Sequence, residues 1–172
     1  MNAPESWDPT LDCRALDSDD AEALLALFVR CASFFELVGA APGDEEVDDF
    51  LTDCPPDRTE EDLFCFGVFA GDDLVAAAST FRDYPSHGCW WIGLFVVDPD
   101  VRGVGVGRSF YDALASWFAD QGAHGVQLGV QAPNEGGRHF WERLGFEFAR
   151  PGRPVVEGVR TPVPTDVLAI SL

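Results

Sequence analysis

Residues Trp90 to Gln121 read WWIGLFVVDPDVRGVGVGRSFYDALASWFADQ, and the reading of this stretch decides the fold. Trp90 to Val97 is a continuous apolar, β-branched run of strand length, closed by the turn signal Asp98-Pro99-Asp100. Arg102-Gly103-Val104-Gly105-Val106-Gly107 follows, and then Phe110, Leu114, Trp117 and Phe118 recur on one face of a helical pattern. Strand, glycine-rich turn and helix in that order aim free backbone N–H groups at a bound anion. The helix N-terminus adds roughly half a positive charge. Glycine is needed there because a Cβ would bar some of the turn's φ/ψ values and the close approach of a ligand. The segment is expected to bind an anion, with a pyrophosphate the best match.

Exclusion narrows which pyrophosphate. A Walker-type loop needs a lysine after its last glycine, and the chain has no lysine. A dinucleotide fingerprint needs G-x-G-x-x-G, but Gly105-Val106-Gly107 is followed by Arg108, Ser109 and Phe110. It also needs an acid at the end of the next strand, where Gln131 stands. The pattern that fits is R-x-x-G-x-G directly after a strand, from Arg102 to Gly107. It resembles the coenzyme A loop of the GNAT superfamily of N-acetyltransferases.

Working outward, the remaining pattern reads in order. Asp12 to Leu16 is a short first strand, and Asp19 with Glu22 has capping-box spacing ahead of a helix. Leu24, Phe28, Cys31 and Phe35 share that helix's inner face, which ends near Gly39. Asp44 to Leu51 is a second helix, stopped by Cys54-Pro55-Pro56. Leu63 to Phe69 and Leu74 to Phe81 are strands joined by the hairpin signal Ala70-Gly71-Asp72-Asp73. After the central helix, Gly125 to Gln131 is a strand. Pro133 and Asn134 then open a helix with Gly137, Phe140, Trp141 and Leu144 inward. Phe146 to Ala149 and Val167 to Leu172 are closing strands, separated by a loop over Pro151 to Pro164 that is expected to be mobile.

The expected fold is a single mixed α/β domain over residues 1–172, β-α-α-β-β-β-α-β-α-β-β, which is also the GNAT order. A second local signature, Asn134 to Phe146 (NEGGRHFWERLGF), looks like that family's N-x-x-A-x-x-F-Y-E-K-x-G-F. Gly137 stands at the small-residue position and Trp141 where tyrosine is usual.

Composition bounds the partners. The net charge is −19, and all of it lies in residues 1–100, which hold four arginines against twenty-three acids. Such a chain disfavours nucleic acid. An acidic half could steer a cationic acceptor, but a Debye length of about 3 Å at 1 M salt removes most steering in concentrated salt. Total loss of lysine fits solubility in such salt better, so the chain reads as an acidic, halophile-like member of the superfamily. No apolar run reaches membrane-spanning length, and MNAPESWDP does not read as a signal peptide. Five cysteines without C-x-x-C spacing read as reduced thiols of a cytoplasmic protein, and three scattered histidines give no metal site.

The resemblance implies the chemistry. In a GNAT fold the central strand splays from the strand after the phosphate-binding helix, and pantetheine lies in the opening against main-chain groups near Phe95, Val96 and Val97. Residues Gly103, Val104, Gly105, Val106, Gly107 and Arg108 would give N–H groups to the pyrophosphate, and Arg102 or Arg108 charge-assisted bonds. Asn134 would bond pantetheine, cap its helix, or both. Phe140 fits the core better than the ligand, although it stands on the cofactor-facing helix. Trp141 replaces the tyrosine that usually protonates the departing thiolate; indole cannot supply that proton, so packing or contact with CoA is the role expected of it. The central strand carries no acid near Ile92 and Gly93, where many relatives have glutamate. Glu36 is the first candidate for the base and Tyr84 the second, while Asp83 and His87 have ordinary turn roles.

The expected activity is transfer of an acetyl group from acetyl-CoA to a primary amine, on a small molecule or a peptide, by direct attack and without metal. A CoA-binding sensor without catalysis stays open because of Trp141, and a homodimer stays open as well.

Overall fold

A computed structural model describes residues 11–152 and 163–172 of the chain. Most of the expected loop over Pro151 to Pro164 therefore lies outside the described residues, as does the N-terminal decapeptide. The described chain forms one seven-stranded sheet in the order β1-β2-β3-β4-β5-β7-β6. Its strands are β1 (Leu11–Ala15), β2 (Leu63–Ala70), β3 (Asp73–Phe81), β4 (Cys89–Val97), β5 (Gly125–Gln131), β6 (Glu147–Pro151) and β7 (Thr165–Ser171). Neighbours are antiparallel except β4 and β5, which run parallel. That exception follows from the glycine-rich turn and helix between them, since parallel neighbours need a crossover.

Among the described residues five α-helices cover the two faces: α1 (Ala21–Arg30), α2 (Ala32–Leu37), α3 (Asp44–Thr52), α4 (Val106–Asp120) and α5 (Glu135–Arg143). The mixed α/β fold and element order match the sequence reading, with two local corrections. The first helix is two, broken at Cys31, whose backbone (φ −92, ψ 17) leaves the helical region. Leu24, Phe28, Cys31 and Phe35 all still face inward across the break. The capping box lies two residues earlier than Asp19: a short 3-10 turn, Ser18–Asp20, precedes α1. Asp17 accepts from the Asp19 N–H at 2.9 Å, and Asp20 accepts from the Asp17 N–H at 3.1 Å. Arg14 fixes Asp20 there, with Nη2–Oδ1 at 2.6 Å.

Two apolar clusters form, one on each face of the sheet. Helices α4 and α5 cover the first, where Trp90 stacks on Phe118 at 4.5 Å and Trp117 meets Phe64, Phe66 and Trp90 edge-on. Helices α1, α2 and α3 cover the second, around Leu24, Leu27, Phe28, Phe35, Val47 and Phe50. The predicted inner face of α4 is buried in full (Phe110, Leu114, Trp117, Phe118). Truncating any one of these aromatics to alanine would cost about 3–5 kcal/mol. All five cysteines are free, four of them buried and Cys54 half-buried. No helix among the described residues is long and apolar enough to cross a membrane.

Candidate active site

The site begins with a fault in β4. Ile92 is registered against Thr80 and Leu94 against Ser79, so Gly93 is one residue too many. This bulge is local chemistry: the Leu94 N–H donates to the Ser79 hydroxyl at 3.1 Å. A Cβ on Gly93 would lie 2.7 Å from the Phe81 ring, so glycine is required there for space. The bulge reverses the strand's alternation. Trp90 and Ile92 face the α4 cluster, and beyond the bulge Phe95 and Val97 face it too, while Leu94 and Val96 turn to the α1 side.

Past that point β4 also loses its parallel neighbour. β4 and β5 are paired from Cys89↔Gly125 to Ile92↔Leu128 and no further. The strands diverge, and a cavity of about 750 Å³ occupies the opening. The Asp98 N–H donates to Val75 of β3 at 2.9 Å. Hydrogen-bonding direction alternates along an antiparallel pair, so Val96 also faces β3, and the main-chain groups of Phe95 and Val97 face the opening. Val96 thus lines the cavity without offering it main-chain bonds.

One wall, the anion wall, carries free N–H groups of the kind an anion accepts. Gly103 (φ +81) and Gly105 (φ +99) adopt left-handed conformations that favour glycine. Gly105 caps α4 with no side chain, so the first N–H groups of that helix are left without intrahelical acceptors. The first turn of α4 carries no acid, in a chain that has thirty. Arg102, Gly103 and Gly107 line the cavity, and Arg102 Nε also donates to the Val97 carbonyl at 2.9 Å. Asn134 caps α5 by accepting from the Gly137 N–H at 2.9 Å, and lines the cavity as well. A Cβ on Gly137 would come within 2.5 Å of the Asn134 amide, which accounts for glycine at this position. Arg138 ties α5 to β7 through Asp166 at 2.6 Å.

The family model for the acetyltransferase (GNAT) family matches residues 22–146. The chain belongs to this family. An uncharacterized N-acetyltransferase of Methanocaldococcus jannaschii is 39% identical over 51 residues, covering 30% of this chain and 23% of that protein. A mycothiol acetyltransferase of Propionibacterium freudenreichii is 42% identical over 50 residues, 29% of this chain and 16% of that one. The chain therefore spans less than a quarter of the length of the curated relatives it matches. In structure it is similar to an acetyltransferase from Thermus thermophilus, with TM-score 0.78 and 22% identity over the whole of both chains. It is also similar to the ribosomal-protein-S18-alanine N-acetyltransferase of Escherichia coli, with TM-score 0.68 and 18% identity over 94% and 93% of the two chains.

The remaining expected GNAT residues fall in different places. Phe140 and Trp141 line the cavity, and Phe95 holds both, stacked on Phe140 at 5.8 Å and edge-on to Trp141 at 5.1 Å. Phe140 is thus a packed residue and a cavity wall at once. Val104, Gly105, Val106 and Arg108 are not among the residues that line the cavity. Arg108 points outward beside Asp112 at 3.7 Å, so its main-chain N–H is what it can offer an anion. Glu36 lines the cavity with Phe34 and Leu37, and it is the one carboxylate among the lining residues. Tyr84 is not brought to the cavity: it packs edge-on against Trp91 at 5.6 Å on the turn before β4. No cluster of three or more metal-ligating side chains occurs among the described residues.

Three residues behind the cavity wall make contacts that the sequence does not signal. Asp98 is buried, and Arg30 Nε donates to its carboxylate at 2.5 Å while Arg30 Nη2 donates to the Leu74 carbonyl at 2.7 Å. Burial pushes the Asp98 carboxyl up, but the Asp100 N–H and Arg30 outweigh it and hold its pKa below the usual value. Cys31 places its Sγ 3.6 Å from the Val97 carbonyl, and burial raises its pKa, so it stays a thiol. Asp98 reads in sequence only as a turn residue and Arg30 as a residue within the first helix, so no sequence signal pairs them.

Proposed function

We propose that the chain transfers an acetyl group from acetyl-CoA to a primary amine by direct attack. One observation carries this reading: a single cavity between β4 and β5 is lined by α5 and the α4 turn from one face of the sheet and by α2 from the other. Donor and acceptor can then meet within the sheet, each entering from its own side.

The chemistry follows from the groups present. Pantetheine is a diamide, and the Phe95 main-chain groups and the Val97 N–H offer it strand-like pairing, the Val97 carbonyl being taken by Arg102 Nε. The pyrophosphate lies over the Gly103–Gly107 turn and the α4 N-terminus. An alkyl ammonium titrates at about 10.4, so it must give up a proton before attack; Glu36 is our assignment for the base, supported by its being the carboxylate among the cavity-lining residues. The amine nitrogen then bonds to the thioester carbon, and a β4 N–H steadies the oxyanion. The attacking nitrogen gives its second proton to solvent as the C–S bond breaks, and solvent protonates the thiolate, because Trp141 has one N–H donor and no titratable proton. A thiolate with a pKa near about 8.5 is a tolerable leaving group near neutral pH.

The acceptor is an amine of a small molecule or a peptide, in the cytoplasm and in concentrated salt; the acidic, lysine-free composition and free cysteines support that setting. The test is release of free CoA thiol from acetyl-CoA across a panel of small amines and peptides with free α-amino groups. Thiol release matched by acetylated product supports the reading. Tight acetyl-CoA binding with no turnover on any amine would favour the CoA-binding sensor instead.

A further inference from the structure

Three side chains from different elements converge on Val97 and Asp98, the last strand residue and the one after it. Arg30 and Cys31 reach them from the junction of α1 and α2, and Arg102 reaches back from the glycine-rich turn. This is the end of β4 that has no β5 partner, so sheet pairing holds it on the β3 side alone. The chain breaks its helix at Cys31 and starts α2 at Ala32, and α2 then carries Phe34, Glu36 and Leu37 to the cavity. Asp98 meanwhile starts the turn that carries Arg102 and Gly103 to the same cavity. One ion pair thus joins the root of the acceptor wall to the root of the anion wall, between residues 68 apart in sequence.

We propose that the Arg30–Asp98 pair is a positioning device that couples the two walls, so that acetyl-CoA seated on the glycine-rich turn orders α2 and with it Glu36. The proposal rests on the acetyl-CoA reading above. Stability alone is a weak reason for the pair, because the Arg30 side chain is 37% exposed and ion pairs open to solvent on one side contribute little. Its geometry is also more specific than charge alone requires. Arg30 divides its donors between the Asp98 carboxylate and the Leu74 carbonyl of β3, which fixes the end of α1 against two strands at once. A lysine ammonium is a point charge and cannot reproduce that fork.

The test is amide hydrogen exchange of the full chain with and without saturating acetyl-CoA, in the parent, Arg30→Lys and Arg30→Met. In the parent, acetyl-CoA slows exchange across residues 32–37 by about fivefold or more, together with residues 103–108. In Arg30→Met the slowing at 32–37 falls below about twofold while 103–108 remain protected, and Arg30→Lys is intermediate. A merely structural pair would raise exchange equally with and without acetyl-CoA. Equal protection of 32–37 in the parent and both variants would overturn the coupling, as would protection of 103–108 alone in the parent. If Arg30→Met does not fold, Arg30→Lys decides by the same comparison. Absence of protection anywhere in the parent would instead overturn the acetyl-CoA reading beneath it.

Discussion

Gly107 lies against the ring of Phe140, so closely that a Cβ at position 107 would come within 3.3 Å of Phe140 Cε2 and 3.3 Å of Val97 Cγ2. This contact sets how near α4 stands to α5 and therefore shapes the anion wall of the cavity. Gly107→Leu overpacks it, which costs about 1–3 kcal/mol and should lower the melting temperature by roughly 2–10 °C. Gly107→Ala asks the ring to give by only a few tenths of an ångström and should stay close to the parent. An unchanged melting temperature in Gly107→Leu would show that the two helices are not in contact there.

Glu36 and Tyr84 separate cleanly in a kinetic test. Glu36→Gln keeps the shape of the residue and removes the base, so kcat should fall by about a hundredfold with acetyl-CoA affinity nearly intact. Tyr84→Phe should turn over at the parent rate, because the ring packs on Trp91 outside the cavity. Trp141→Phe should alter packing around Phe95 and Tyr111 but keep the basic limb of the pH–rate profile, since indole does not titrate. Parent kcat in Glu36→Gln would remove Glu36 from the mechanism.

The charge distribution makes a separate demand. The net −19 is crowded into residues 1–100, and α3 alone carries Asp44, Glu45, Glu46, Asp48 and Asp49. Unscreened, these carboxylates repel one another in the folded state. The melting temperature should therefore rise as sodium or potassium chloride goes from about 0.1 M to above 1 M. A flat or falling curve would contradict adaptation to concentrated salt.

Periodicity made most of this fold readable. The α4 face of Phe110, Leu114, Trp117 and Phe118 is buried as spaced, and the hairpin of β2 and β3 turns at Gly71 (φ +64), within the stretch read as its turn. The glycine-rich turn was legible because its backbone conformations exclude most residues. Glu36 was legible as a carboxylate near the end of the first helical pattern. The helix break at Cys31 was not, since neither proline nor glycine marks it; it coincides with tertiary contacts to Val97 and Asp98. The Gly93 bulge was hidden for a similar reason. An apolar run buried on both faces shows no alternation, so a slip of one residue leaves no trace in the pattern. Tyr84, the second candidate for the base, stands on the turn before the central strand, and its ring packs at Trp91, before the opening begins.

The most direct measurement is a calorimetric titration of acetyl-CoA into the parent protein and into Gly105→Val. Gly105 has φ +99 and open space around it, so a valine there meets no protein atom within 4 Å at its Cβ. Its penalty comes from the left-handed backbone and from a side chain placed where a pyrophosphate must approach. The expected result is saturable binding at one site per chain in the parent. A folded Gly105→Val should then bind more than about tenfold more weakly, a difference of at least about 1.4 kcal/mol. No binding to the parent, or equal affinity in the folded variant, would contradict the assignment of the β4–β5 opening as the acetyl-CoA site.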